Sequence, residues 1–299
     1  MPSLRRIVAA TDFSDFSERV VQRAAQLAKQ HQAELHLLHV VRPLDLYPSL
    51  TLAPDELKHT DQDLLQTEQT RLDAMAASLV SQLGIQVRTA TRLGRAHSEI
   101  AAYVQEVSAD LLVAGVRGEN TLMDLFLGST VSRLLRVDIC PVLIVRNPAD
   151  GPYRQVLAAV DFSPVSAAVV AHALMLAGGA PMHALHVLGS EVEQRLRRAK
   201  LNQVDITCWL TKLHDDAEKQ LDALLASIGK SPEVIRLIQS GFPPAAICQC
   251  IEDKQADLIV LGRHGYGGGL QDWLLGSVSK DVAFAATCDV LLISSPSGQ

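Results

Sequence analysis

The fold is decided by the stretch RIVAATDFS at residues 6–14, which returns as QVLAAVDFS at residues 155–163. Two later blocks repeat in the same way: ADLLVAG at 109–115 matches ADLIVLG at 256–262, and LGS at 127–129 matches LGS at 275–277. Matching residues are 149 apart in the first block, 147 in the second and 148 in the third. A separation this long and this constant indicates a duplicated domain rather than a short-period repeat.

The length of the chain agrees with a duplication. Its 299 residues correspond to two domains of ordinary size. Between the copies, residues 147–152 read Asn-Pro-Ala-Asp-Gly-Pro, a segment rich in turn-forming residues. We therefore expect a first domain at 1–148, a second at 153–299, and a short linker that keeps them together.

Each copy alternates predicted strands and helices in the order β-α-β-α-β-α-β-α-β. The first strand, Ile7–Ala10, is short and wholly apolar, as expected when both faces of a sheet are covered. Ser14 and Ser163 are predicted to cap the helices that follow strand one, with Pro164 at the first helical position. The alternation predicts two tandem open parallel five-stranded sheets of the Rossmann type, with helices on both faces.

The remaining predicted strands have the same positions in both copies. They are Leu35–Val41, Val87–Thr91 and Val142–Val145 in the first copy, and Ala184–Leu188, Val234–Ile238 and Val290–Ile293 in the second. Sheets of this kind bind ligands at the carboxyl ends of their strands, where the winding direction reverses. The loops after strands one and four are therefore the candidate binding loops.

Composition and charge exclude several classes of function. The net charge is −6, aromatic residues make up 4%, and no long basic cluster occurs, which argues against a nucleic-acid partner. No apolar run is long enough to span a membrane, and Asp12 comes too early for a signal peptide, so we expect a cytoplasmic protein. Five cysteines do not form a disulfide framework, and Cys248 and Cys250 are interpreted as buried thiols rather than metal ligands.

The loop after strand four of the first copy has the pattern G-x2-G-x9-G-S, formed by Gly115, Gly118, Gly128 and Ser129. Glycines let backbone N–H groups approach phosphate oxygens, and the predicted helix that begins after Gly128 favours negative charge. The hydroxyls of Ser129 and Thr130 add donors. This pattern indicates a phosphate-binding loop.

The second copy has a similar loop with one more residue. Its pattern is G-x2-G-x10-G-S, formed by the residues Gly262, Gly265, Gly276 and Ser277. Arg263 and His264 make this loop more basic than its counterpart, so local charge favours the second copy while spacing favours the first. Giving spacing more weight, we expect the first copy to bind more tightly.

Taken together, the Asp-Phe-Ser after strand one, the valine at the end of strand two and the glycine loop with Leu-Gly-Ser resemble the universal stress protein family. The resemblance covers both copies. It implies that a base is held by Asp12 and Val40 in the first copy and by Asp161 and Val187 in the second. It also implies that phosphates are held by the loop residues: Gly115, Gly118, Gly128, Ser129 and the adjacent Thr130, and Gly262, Gly265, Gly276 and Ser277.

The resemblance further implies the ligand and the assembly. The ligand is ATP or AMP, with Mg²⁺ as a candidate companion ion. The two final strands are expected to pair antiparallel, which would make the chain a pseudo-dimer and leave a homodimer of such chains open. The leading hypothesis is a stress-response protein that acts through regulated nucleotide binding, without turnover.

Other interpretations stay open at this point. One alternative is a slow ATPase or a phosphoryl or adenylyl transferase, and another is a binding module for an apolar ligand with vestigial nucleotide sites. Asp12 and Asp161 are also consistent with simple helix starts, and the glycines with tight packing. His39 and His186 fit core histidines, and His264 is open to either a surface role or a ligand contact.

Overall fold

The chain folds into two compact units. The computed structural model describes residues 2–44, 54–116, 128–137, 139–199, 203–229, 234–265 and 275–294. The N-terminal unit runs from Ser3 to Gly151, and the C-terminal unit begins at Pro152. Gly118, predicted as a phosphate-loop glycine, lies outside the described residues.

The N-terminal unit is an open parallel sheet of five strands in the order β3-β2-β1-β4-β5. Strands and helices alternate along this unit, as predicted. In sequence order they are β1 (Arg6–Thr11), α1 (Asp15–His31), β2 (Glu34–Val41), α2 (Pro54–Leu83), β3 (Val87–Leu93), α3 (Ala96–Glu106), β4 (Leu111–Gly115), α4 (Ser129–Leu134) and β5 (Val142–Val145).

The C-terminal unit repeats this topology with strand order β8-β7-β6-β9-β10, again all parallel. Its elements are β6 (Val156–Val160), α5 (Ser166–Ala177), β7 (Met182–Gly189), α6 (Ser190–Arg198), α7 (Gln203–Ser227), β8 (Val234–Gly241), α8 (Pro243–Lys254), β9 (Leu258–Gly262), α9 (Ser277–Ala285) and β10 (Asp289–Ile293). The predicted α/β class with tandem parallel sheets is therefore confirmed.

The central strands are buried on both faces, which explains their uninterrupted apolar sequences. Ile7, Val8 and Ala9 of β1 are all fully buried. Because successive side chains of a strand point to opposite faces of the sheet, three buried neighbours require cover on both sides. β6 has the same arrangement.

The two helices that follow strand one begin differently. Ser14 caps α1 as predicted, because its Oγ accepts the Ser17 N–H at 3.2 Å. The prediction that Ser163 caps α5 with Pro164 as the first helical residue is wrong, since α5 begins at Ser166. The Ser163 hydroxyl donates to Asp161 Oδ1 at 2.5 Å, as Ser14 does to Asp12. Pro164 and Val165 form a turn, closed by the Ser166 N–H on the Ser163 carbonyl at 2.9 Å, and the helix begins only after it.

The cysteines and the helices agree in part with expectation. Cys250 is buried as predicted, whereas Cys248 is only half-buried and Cys208 is exposed on α7.

In the part of the chain that the structure describes, no helix combines the length and the apolar character that crossing a membrane requires.

Candidate functional site

The predicted base-binding residues lie at the carboxyl edge of each sheet. The winding direction reverses at β1 and at β6, because the next two strands along the chain lie on one side of these strands and the last two lie on the other. Thr11 lies opposite His39, so Asp12 and Val40 follow at the same edge of neighbouring strands. Val160 lies opposite His186, which gives Asp161 and Val187 the same places in the C-terminal unit. This edge is where open α/β sheets bind ligands.

A tight turn carries each aspartate. Asp12 Oδ1 accepts the Ser14 N–H at 3.1 Å and the Ser14 hydroxyl at 2.6 Å. Asp161 Oδ1 makes the same two bonds with Ser163, at 3.0 and 2.5 Å. One oxygen of each carboxylate therefore organises the turn between strand and helix. The helix-start interpretation accounts for that oxygen in both units.

Between aspartate and serine, a phenylalanine adopts a left-handed backbone. The φ angles of Phe13 and Phe162 are 59° and 60°, in a region that bulky side chains rarely adopt. Such conformations cost of order 1–3 kcal/mol and persist where surrounding contacts enforce them, often at functional sites. Sequence reasoning missed this feature, although the repeated Asp-Phe-Ser was its visible signal.

A histidine from the neighbouring strand supports each phenylalanine. The ring of His39 lies 4.6 Å from that of Phe13, and its Nδ1 donates to the Thr11 carbonyl at 2.8 Å. His186 repeats this geometry, with a ring distance of 4.2 Å to Phe162 and a 2.9 Å bond to a backbone carbonyl. Both histidines are half-buried at the carboxyl edge. They hold the turn in place.

The glycine loop is tied to the end of strand four in the same way in both units. The Gly128 N–H donates to the Val116 carbonyl at 2.8 Å, and the Gly276 N–H donates to the Arg263 carbonyl at 2.8 Å. These glycine amides are thus engaged within the protein, so the glycines shape the loop. The exposed Ser129 and Ser277 follow as the first residues of α4 and α9, and Thr130 is half-buried.

The same closing hydrogen bond in both units limits what the extra residue of the second loop can change. Because the same hydrogen bond closes both loops, the additional residue leaves the start of the final helix in an equivalent place. The positions of Gly118 and of the inserted residue lie outside the described residues, so the effect of loop spacing on binding is not tested. The relative affinity of the two sites stays a prediction.

Local packing accounts for two glycines of the C-terminal loop. A Cβ on Gly262 would lie 2.6 Å from Val165 Cγ1, and a Cβ on Gly276 would lie 3.1 Å from the Arg263 carbonyl oxygen. A Cβ on the exposed Gly265 would lie 3.1 Å from Asp161 Oδ2. The structure thus brings the glycine loop next to the strand-one carboxylate. The sequence alone does not show that Gly265 and Asp161 lie close together.

The prediction that Arg263 makes its loop more basic is wrong at the surface of the protein, because the side chain is buried. Arg263 is only 1% exposed, and one of its guanidinium nitrogens donates to Ser294 Oγ at 3.2 Å. His264, the next residue, is half-buried. Val116 is the counterpart of Arg263 in the N-terminal unit and is also buried. The sequence does not indicate which way a residue just beyond a strand points, and here it points inward.

A second serine of the C-terminal unit has a structural role. The buried Ser279 hydroxyl donates to the Gly262 carbonyl at 2.6 Å and fixes α9 to the end of β9. Its N-terminal counterpart is the buried Val131, which has no hydroxyl. Ser277 is therefore the exposed serine of this helix start, and Ser279 is not a ligand donor.

Comparison with known proteins identifies the duplicated unit. The family model described as "Universal stress protein family" matches residues 3–146 and again residues 152–294. A universal stress protein of Mycolicibacterium smegmatis is 28% identical over 96% of this chain and 96% of its own length. The universal stress protein YxiE of Bacillus subtilis is 30% identical and matches 47% of this chain with 98% of its own length.

Solved structures show the same fold along almost the whole chain. A universal stress protein from Archaeoglobus fulgidus has a TM-score of 0.64 at 20% identity and covers 97% of this chain and 98% of its own. A functionally unknown protein from Pseudomonas aeruginosa PAO1 has a TM-score of 0.65 at 20% identity, covering 97% and 92%. At this identity the likeness concerns the fold alone.

Proposed function

This chain belongs to the universal stress protein family, and we propose that it binds an adenine nucleotide, ATP or AMP, at the carboxyl edge of each sheet. Regulated binding, not turnover, would then be its mode of action. One observation carries the proposal. In both units an aspartate turn, a strand-two valine and a closed glycine loop meet at the point where the winding reverses.

The chemistry of this edge suits a ligand with a base at one end and an anion at the other. Val40 and Val187 are half-buried and offer an apolar wall to a flat base. The neighbouring carboxylates are acceptors for the exocyclic amine of adenine. Ser129 and Ser277 are exposed and can donate their hydroxyls to phosphate oxygens. Mg²⁺, when bound, would neutralise part of the phosphate charge.

Binding without turnover agrees with the groups that the described edge contains. Phosphoryl transfer requires a positioned nucleophile and metal ligands around the reacting phosphate. Among the described residues, Asp12 and Asp161 each use one oxygen to hold a serine, and the exposed Ser129 and Ser277 begin the helices that follow the closed loops. A ligand held this way can still shift a conformational equilibrium, provided that it binds one state more tightly.

The test exploits the two roles of the aspartate. Asp12→Asn with Asp161→Asn keeps an acceptor for the serine bonds but replaces one carboxylate oxygen with an amide donor. We expect the affinity for ATP to fall by about tenfold or more, the loss of one charge-assisted hydrogen bond, while discrimination against ITP weakens. Calorimetry on the full chain measures both affinities.

Two comparisons complete this test. Ser14→Ala with Ser163→Ala disturbs the turn without changing the carboxylates and should not weaken discrimination against ITP. Unchanged ATP affinity in the double asparagine variant would remove the aspartates from the site. Repeated phosphate release from ATP in the presence of Mg²⁺ would favour the slow ATPase instead.

A further inference from the structure

We propose that the N-terminal unit selects an adenine nucleotide with a polyphosphate chain, whereas the C-terminal unit takes one with a single phosphate. The residues that set this difference are Arg133 and Asp281. The inference rests on the proposed function and names the ligand class of each site. It comes from a reversal of charge at equivalent positions in the two units.

The reversal lies one helical turn beyond the exposed serine of each loop. Arg133 follows Ser129 by four residues in α4, and Asp281 follows Ser277 by four residues in α9. All four side chains are exposed. Residues four apart share a helix face, and helical side chains lean towards the N-terminus. The serine is therefore next to a cation in one unit and next to an anion in the other.

More basic groups adjoin Arg133 in the N-terminal unit. Arg95 immediately precedes α3, His97 is in its first turn, and α3 packs against α4. Burial lowers the pKa of His97, and the positive charges of Arg133 and Arg95 lower it further. These three side chains therefore share one surface beside the start of α4.

The C-terminal unit has none of these three basic groups at the matching positions. Phe242 replaces Arg95 and is 63% exposed, Pro244 replaces His97, and Asp281 replaces Arg133. Arg263 is buried, and one of its guanidinium nitrogens donates to Ser294 Oγ, so it does not restore the missing charge at the surface. A surface with an exposed phenylalanine and without these arginines suits a ligand with little phosphate charge.

Two further charges near these positions do not cancel the difference. Lys280 is exposed beside Asp281, so the two neutralise each other on that turn, whereas its counterpart Ser132 leaves Arg133 without compensation on its own turn. In the N-terminal unit the carboxylate of Glu99 lies back over Gly94, where a Cβ would come within 2.7 Å of its Oε1. Among the residues that the structure describes, the surface beside α4 therefore carries more positive charge than its C-terminal counterpart, from Arg95 and Arg133.

The effect of these charges should grow with the length of the phosphate chain. Exposed charge pairs contribute little individually, about fivefold in affinity at most, and salt screens them. Exchanging an arginine for an aspartate changes the charge by two units, so we expect roughly a tenfold change in the ratio of ATP to AMP affinity. At high ionic strength this change should shrink.

The experiment uses the full chain with one base wall blocked at a time. Val187→Asp leaves the N-terminal site and Val40→Asp leaves the C-terminal site, and each is titrated with ATP and with AMP at low ionic strength. We expect the preference for ATP over AMP to be about tenfold greater in the N-terminal site. Adding Arg133→Asp should remove that excess, and Arg133→Gln should remove part of it. Asp281→Arg should raise the ATP preference of the C-terminal site.

Arg136→Asp is the matched control, because it makes the same charge change at an exposed residue just beyond α4. It should leave the ratio unchanged. Equal ratios in the two sites, or a ratio that Arg133→Asp does not move, would overturn this inference while leaving nucleotide binding intact. Failure of the unmodified chain to bind either nucleotide would overturn the proposed function instead. Where a blocked variant fails to fold, Asp12→Asn or Asp161→Asn weakens that site in its place.

Discussion

The two units share the geometry of the carboxyl edge but differ around it, as the first helix of each unit illustrates. In α1, Arg23 donates to the Gly151 carbonyl at 2.8 Å and Gln26 to the Ala149 carbonyl at 2.6 Å. The matching residues of α5 are His172 and Met175, and His172 bonds within its own helix. Helix α1 therefore holds the linker to the N-terminal unit. The two units therefore keep the same geometry at the carboxyl edge of the sheet, whereas the exposed contacts of their first helices differ.

The largest effect on ATP binding is expected from a substitution that prevents the glycine loop from closing. Gly276→Val places a branched side chain against the Arg263 carbonyl, and such overpacking costs about 1–3 kcal/mol. We expect ATP binding at the C-terminal site to be abolished, and Gly128→Val to do the same at the N-terminal site. Calorimetry on each full-length variant measures the remaining site.

A matched glycine separates loop closure from a general loss of stability. A Cβ on Gly189 would meet no atom within 4 Å, so Gly189→Val should leave the Tm of the chain nearly unchanged. Full ATP affinity at both sites in the Gly128→Val, Gly276→Val double variant would show that loop closure is not needed for binding.

One buried hydrogen bond between side chains stabilises the C-terminal unit and has no counterpart in the N-terminal unit. The Tyr153 hydroxyl donates to Asp289 Oδ2 at 2.8 Å, and both residues are buried. The N-terminal unit has Leu4 and Pro141 at these positions. Tyr153→Phe leaves a buried carboxylate with one donor fewer and should lower the free energy of unfolding of the C-terminal unit by about 1–3 kcal/mol. Urea unfolding measures this, and a change below about 0.5 kcal/mol would contradict it.

Buried histidines should make stability depend on pH in both units. Burial lowers the pKa of His183, and the charge of Lys254 lowers it further, whereas Glu34 partly opposes the effect of burial on the pKa of His36. A histidine with a lowered pKa binds fewer protons when folded, so stability falls as pH drops below about 6.5, the unfolded value.

Unfolding in urea at pH 7.5 and pH 5.5 measures this loss. His183→Gln should reduce the difference between the two pH values, whereas His214→Gln, which changes an exposed histidine of α7, should not. A free energy of unfolding that rises on acidification across this range would contradict the expected sign.

The smallest effect is expected at the linker. Arg23→Ala and Gln26→Ala each remove a bond between α1 and a linker carbonyl, a loss of about 1 kcal/mol. We expect faster limited proteolysis within residues 146–152 and little change in nucleotide affinity. Gln22→Ala is the control, because Gln22 bonds only to Glu18 on its own helix among the contacts described. Equal cleavage rates in all three variants would show that these bonds do not hold the linker.

The repeated blocks sufficed to predict the strands, their order of appearance and the binding edge of each sheet, whereas Asp12 and Val40 were assigned to that edge by the family resemblance. Apolar runs and turn residues act locally, so they can be read from sequence. The burial of Arg263 and the start of α5 could not be read in this way, because each depends on contacts that the local pattern does not show. A turn at Pro164 and Val165 delays the start of α5, and Ser294 accepts a bond from the buried guanidinium. The left-handed Phe13 likewise requires a partner from another strand.

The central claim is that the nucleotide site was duplicated along with the fold. Native mass spectrometry of the intact chain with saturating ATP or AMP tests it most directly, because it counts the ligands bound per chain. The account predicts two adenine nucleotides per chain, reduced to one by either Val40→Asp or Val187→Asp. A chain that binds none, or that still binds two when both valines are replaced, would contradict it.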